Sequence, residues 1–175
     1  SGSENDVLPA GDKATGYKAL AFHAVNSDFP IFDDIQKFVV DRGKAAGAGD
    51  QIGTVLYNRG MYNAMLITEA ARTAQVIAGK SNISQADMIK GFEALEMTEE
   101  KMAALGLPGF GPSFSVSCEN HGGDGMVAVA QWDAGAGKWS IVSDFQASDM
   151  SVIQPLIDAD SGAFASENNL SPNCN

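Results

Sequence analysis

The stretch SVSCENHGGDGMVAVAQWDAGAGKWSIVSDF, residues 115–145, decides the architecture. Met126–Trp132 and Trp139–Asp144 alternate in the manner of strands, and Asp133-Ala134-Gly135-Ala136-Gly137 between them has the composition of a hairpin turn. Ser113–Ser117 reads as an earlier strand, and the glycines after His121 mark a connection between strands. Downstream, Met150–Ala165 predicts a final helix before a polar tail that contains Cys174. Upstream, Pro108-Gly109-Phe110-Gly111-Pro112 breaks a helical region. Within that region Thr98-Glu99-Glu100 opens a short helix stopped at Gly106. Ser84-Gln85-Ala86-Asp87 has the form of a capping box ahead of Met88, Ile89, Phe92 and Leu95. A longer helix is predicted from Thr54 to Ala78, with Tyr62, Met65, Leu66, Glu69, Thr73, Val76 and Ile77 at a 3.6-residue period. Pro30 starts another, with Asp28 as cap and Ile31, Ile35, Phe38 and Val39 on one face, ending at Gly43. The apolar run Tyr17–Val25 suits a buried strand, and residues 1–16 read as loop or a short helical turn.

With 175 residues, 45% hydrophobic and 19% charged, the chain can bury the core of one ordinary domain. Its formal charge of −11 repels a phosphate backbone, so nucleic acid is not an expected partner. No apolar run approaches the roughly 20 residues that cross a bilayer. The first residues, Ser-Gly-Ser-Glu-Asn-Asp, show neither the basic start nor the apolar stretch of a secretion signal, so any such signal was absent or has been removed.

Candidate chemistry is sparse. Gly79-Lys80-Ser81 resembles the end of a phosphate loop, but Ala74 stands where that loop needs a glycine, so the segment reads as a helix C-terminus. Asp158-Ala159-Asp160-Ser161-Gly162 begins like a calcium loop and lacks the later ligands. Glu119, His121 and Asp124 form the most suggestive polar cluster, and a metal-assisted hydrolytic site built on them is the alternative enzymatic reading, with a non-catalytic assembly module as the third. His23 sits in the apolar strand as a ligand contact, a general base or a core histidine, the last being the ordinary outcome. Asp33-Asp34 and Glu99-Glu100 lie at helix starts, where the helix dipole explains them. Cys118 and Cys174 lack zinc-site spacing, which leaves a disulfide or two buried thiols. If joined, they stabilise by about 4 kcal/mol on the loop-entropy model and imply an oxidising compartment.

The order of segments carries a further signal. SGSENDVLPAGDKATGYKALAFHA (1–24), YNRGMYNAMLITEAARTAQ (57–75) and residues 115–145 resemble the later half of type I periplasmic solute-binding proteins of ABC importers, in the branched-chain amino-acid-binding group. The resemblance implies an α/β fold of that type with incomplete lobes: three-layer α/β/α elements plus a C-terminal β-hairpin and helix. It implies that residues 1–25 belong to the C-terminal lobe and a crossover, 26–112 to the helical part of the N-terminal lobe, and 113–175 to the return crossover, hairpin and final helix. Members are typically about twice this length. Unpaired strand edges and uncovered apolar helix faces are therefore expected, to be met by the missing N-terminal half or a second chain. The implied function is non-enzymatic: binding an amino acid or similar small solute by hinge closure, without a cofactor or metal, and delivering it to a membrane permease from the periplasm or cell exterior. Glu4 matches an acidic position that accepts hydrogen bonds from the ligand ammonium, and Phe22 and His23 are expected near the cleft. Tyr57 and Tyr62 are cleft or core candidates, with core preferred on burial statistics.

Overall fold

The computed structural model describes residues 2–47, 49–171 and 174. Helix α1 (Glu4–Val7) runs into a 3-10 segment (Leu8–Ala14) and delivers the chain to strand β1 (Lys18–Ala21). The predicted strand to Val25 stops at Ala21 because the next residues turn to other partners: the Ala24 amide donates to the Phe110 carbonyl at 2.7 Å. Helix α2 (Pro30–Ile35) follows and continues as a π turn (Gln36–Val40). Its N-cap is Phe29 rather than Asp28, whose carboxylate instead accepts a 3.3 Å bond from Asn26. The wider π turn breaks the 3.6-residue register, so Ile31 and Ile35 pack inward while Phe38 faces solvent between Lys37 and Arg42.

Helix α3 (Val55–Ala78) is capped by Thr54, whose hydroxyl accepts from the Tyr57 amide, and ends at Gly79 in the left-handed region with φ +64°. Its second half departs from the expected stripe. Ala70 and Ala74 are buried and Val76 is 82% exposed, because helix α4 (Gln85–Glu93) lies against the small residues and brings Gly91 onto them. The box at Ser84–Asp87 closes as the sequence predicts, with Asp87 accepting from both the amide and the hydroxyl of Ser84 at 2.8 Å. Lys80 reaches the same carboxylate at 2.9 Å, and these hydrogen bonds hold Asp87 well below the usual carboxylate range.

Strand β2 (Glu96–Met97) lies between α4 and helix α5 (Glu99–Ala104), where only helical signals were legible. It pairs antiparallel with β3 (Phe114–Ser115), all that forms of the strand predicted over 113–117. Strands β4 (Ala128–Asp133) and β5 (Lys138–Ile141) make the hairpin, and β4 pairs antiparallel with β1, giving the sheet order β1-β4-β5. Helix α6 (Met150–Glu167) closes the chain.

Packing sorts into two apolar clusters. In the sheet cluster, Trp132 faces Trp139 across the hairpin, and Ala21 and Ala130 join Val7, Ala14, Val25 and Val55 beneath them. The helical cluster gathers Phe29, Phe32, Met65, Leu95, Met97, Met102, Leu107 and Phe110. The opposite face of the sheet is uncovered: Leu20 of β1 and Val142 just past β5 are exposed. Helix α6 buries no residue, and Val152, Leu156 and Phe164 stand in solvent. Among the described residues β1 and β5 are open edges, and no helix is long and apolar enough to cross a membrane. This is a mixed helix/strand fold with open sheets.

Candidate functional site

The segment from Phe22 to Phe29 passes from one cluster to the other, and a cleft of ≈ 830 Å³ opens beside it. Its walls are this segment from Ala24 onward, Gly53 and Thr54 just ahead of α3, Pro108 and Gly109, and the hairpin from Gly137 to Ile141. Glu4 lines the cleft, half-buried. Both of its carboxylate oxygens lie 3.2 Å from the Val55 amide and accept its hydrogen bond at the first turn of α3. An anion there satisfies an orphan donor and faces the positive end of the helix dipole. Asp6 positions the turn that carries Glu4 by accepting the amide and hydroxyl of Ser3 at 2.8 Å, bonds that lower its own pKa. An ionised carboxylate has about four lone-pair sites, so Glu4 keeps acceptor capacity beyond Val55 for a cationic donor in the cleft.

The crossing segment is pinned from three sides. Asn58, fully buried in α3, donates from Nδ2 to the carbonyls of Ala24 and Asn26, each at 2.9 Å. Phe110 takes the Ala24 amide, as above. His23 Nδ1 lies 2.9 Å from the Ala24 carbonyl, which can only accept, so Nδ1 carries the proton. The imidazole is 1% exposed, stacked on Phe110 at 5.9 Å, and lines neither cavity described here. His23 therefore occupies the core position that its apolar strand suggested. No pattern in the sequence singled out Asn58, since a lone Asn inside a helix carries no local signal for the distant carbonyls it serves.

Burial pushes the His23 pKa down, and the nearby Arg59 charge adds to this against the opposing hydrogen bond to Ala24. A folded pKa below the unfolded value of about 6.5 means that the unfolded chain takes up the proton first as pH falls. The stability held above that value is thus lost on acidification. The midpoint of thermal unfolding is expected to drop between about pH 7.5 and about pH 5, and the drop should be smaller in His23→Phe, which cannot titrate. Differential scanning calorimetry across that range checks it; parallel curves would remove His23 as the cause.

A smaller cavity of ≈ 280 Å³ lies between Phe22, Tyr62 and Phe114 on one side and the loop His121–Met126 on the other. Phe22 stands here, edge-on to Tyr62 at 5.4 Å, and not in the larger cleft with Glu4. Tyr57 packs on the helical core against Phe32 at 5.8 Å. The enzymatic constellation expected from the loop is not assembled among the described residues. Glu119 is turned back to accept from the Ser117 hydroxyl at 3.0 Å, and His121 meets Glu93 of α4 at 3.5 Å instead of Glu119 and Asp124. Asp124 lines the smaller cavity with His121, but the ligand-type groups that converge are Glu93, Cys118 and His121. Cys118 and Cys174 are joined by a disulfide that ties the residues after α6 to this loop.

Two apolar clusters are thus joined by a pinned crossing segment, with a cleft beside it. Among solved structures, the chain is similar to an ABC transporter permease from the Pseudomonas fluorescens group, with 36% identity and a TM-score of 0.88 over 99% of this chain. It is also similar to a branched-chain amino acid ABC transporter from Thermus thermophilus with bound valine, with 20% identity and a TM-score of 0.60 over 86% of this chain, a likeness of fold. The chain spans 42% and 38% of those two proteins. No protein-family model matches it, and no curated protein does. Both of these structural neighbours are ABC-transporter proteins.

Proposed function

We propose that the chain is a segment of the substrate-binding component of an ABC importer for amino acids, branched-chain or related small solutes, acting in the periplasm or outside the cell. The observation that carries the reading is Glu4 set at the N-terminus of α3 in the wall of the 830 Å³ cleft between the two clusters. An α-ammonium group fits there because charge-assisted donation to a carboxylate is about twice as strong as a neutral hydrogen bond. Residues 1–25 and 113–175 act as part of one lobe and 26–112 as part of the other, closing about the crossing segment. Phe22 and His23 serve through that segment, by packing that sets where it enters the cleft. The uncovered sheet face and α6 are where the N-terminal half of the receptor or a second chain seats, and the closed, loaded receptor docks on a membrane permease.

The test uses the receptor polypeptide that includes these residues. A branched-chain amino acid is expected to raise its unfolding temperature, since a ligand selective for the folded state stabilises it. Glu4→Gln keeps an oxygen for the Val55 amide and loses the charge, so affinity should fall by about tenfold or more, from the roughly 1.5–3 kcal/mol of a charged hydrogen bond. Isothermal titration calorimetry reads this directly. Unchanged affinity would remove Glu4 from the site, and silence toward every amino acid would sink the receptor reading.

A further inference from the structure

The sulfur of Cys118 stands beside Glu93 and His121, and potential ligand atoms of all three lie within 4.8 Å of one another. Nothing in the amino-acid cleft calls for this convergence. It brings together α4, the strand connection and the base of the disulfide, from residues far apart in the chain. The spacing suits a tetrahedral ion. With metal–nitrogen and metal–oxygen bonds of about 2.0–2.2 Å, a tetrahedral angle sets the nitrogen and oxygen about 3.4 Å apart. His121 Nε2 and Glu93 Oε1 are 3.5 Å apart. A zinc–sulfur bond of about 2.3 Å would put the sulfur about 3.6 Å from that nitrogen, inside the observed convergence. His121 is exposed and also lines the smaller cavity, which leaves room for a fourth ligand from water.

What closes the site is the disulfide, since a thiolate ligates metal and a disulfide sulfur does not. We propose that Cys118 has two mutually exclusive partners, Cys174 in the oxidised chain and, after reduction, a borderline divalent cation such as Zn2+ held together with His121 and Glu93. The step balances as thiol–disulfide exchange. A dithiol reductant gives up two electrons and two protons and becomes a disulfide, the Cys118–Cys174 bond breaks to two thiols, and the Cys118 thiol releases its proton to water on binding the ion. Bound metal would in turn shield Cys118 from reoxidation, and loss of the bond would untie the residues after α6.

The test is titration with Co2+, a zinc surrogate whose thiolate complexes show a sulfur-to-metal charge-transfer absorption. It is run on the oxidised chain, on the chain reduced by a phosphine, and on Cys174→Ser. One equivalent of cobalt with that absorption is expected in the two latter forms and none in the first. His121→Ala and Glu93→Gln, each in the Cys174→Ser background, should weaken binding by more than the roughly 10–100-fold typical of losing an outer partner of a metal ligand. Equal binding by oxidised and reduced chains would overturn the proposal, as would affinity indifferent to both substitutions. Far-ultraviolet circular dichroism accompanies the titration. Loss of helix in both disulfide-free forms counts against the proposal as well, because it requires α4 and the loop to hold the cluster without the bond.

Discussion

Phe110→Ala is expected to cost about 3–5 kcal/mol of unfolding free energy, the range for deleting a buried aromatic ring. Phe110 is fully buried and is the ring on which the crossing segment rests. His23 stacks on it at 5.9 Å, Phe29 meets it edge-on at 5.0 Å, and Tyr62 lies at 6.4 Å. Truncation leaves a cavity under three aromatic groups that are themselves anchored, so the walls cannot collapse to fill it. Domains of this size hold only about 5–15 kcal/mol, so the loss is a large share of the whole. Urea unfolding should show a lower midpoint. The same variant gives His23 access to water, so its depressed pKa should rise and the acid sensitivity described above should shrink. A loss under about 1 kcal/mol would mean that the packing around Phe110 is loose.

Gly91→Ala comes next, and two opposing effects decide its sign. Alanine gains about 1 kcal/mol over glycine inside a helix. Against that, a Cβ at position 91 would stand 2.2 Å from the Ala70 carbonyl oxygen and 2.7 Å from the Ala74 Cβ. The first of these is backbone of α3 and cannot swing aside, so α4 must lift away from it. That separation opens the seam formed by Ala70, Ala74 and Gly91 and disturbs Leu95 beyond it, against a typical overpacking cost of about 1–3 kcal/mol or more. The contact is short enough that the steric term should prevail, for a net loss of about 2 kcal/mol. An unchanged or higher urea midpoint would show that helix propensity outweighs the close approach.

Local signals and long-range contacts shape different parts of this fold. Thr54 capping α3, the Ser84–Asp87 box and the hairpin across 133–137 could be read directly, since each depends on residues within a few positions of one another. The β2–β3 pair could not. Two residues at 96–97 carry no period, and they become a strand only because residues 114–115 arrive beside them. The expected stripe on α3 holds through Tyr62, Met65 and Leu66 and fails at its end for the same reason: hydropathy favours Val76 and Ile77, whereas α4 selects the small surfaces of Ala70 and Ala74. Of the expected contacts, Glu4 reaches the larger cleft, while Phe22 and His23 are drawn to the aromatic side by Tyr62 and Phe110.

By itself the sequence determined the helices, the hairpin, the acidic character and the order of elements, because helix caps, turn glycines and apolar periods act over one or two turns of chain. The tertiary structure alone decided that Glu4 meets the Val55 amide, that Asn58 holds the Ala24 and Asn26 carbonyls, and that His121 faces Glu93 beside Cys118. Those partners come from distant parts of the chain, and which polar groups meet is settled only when two apolar clusters close and desolvate them together.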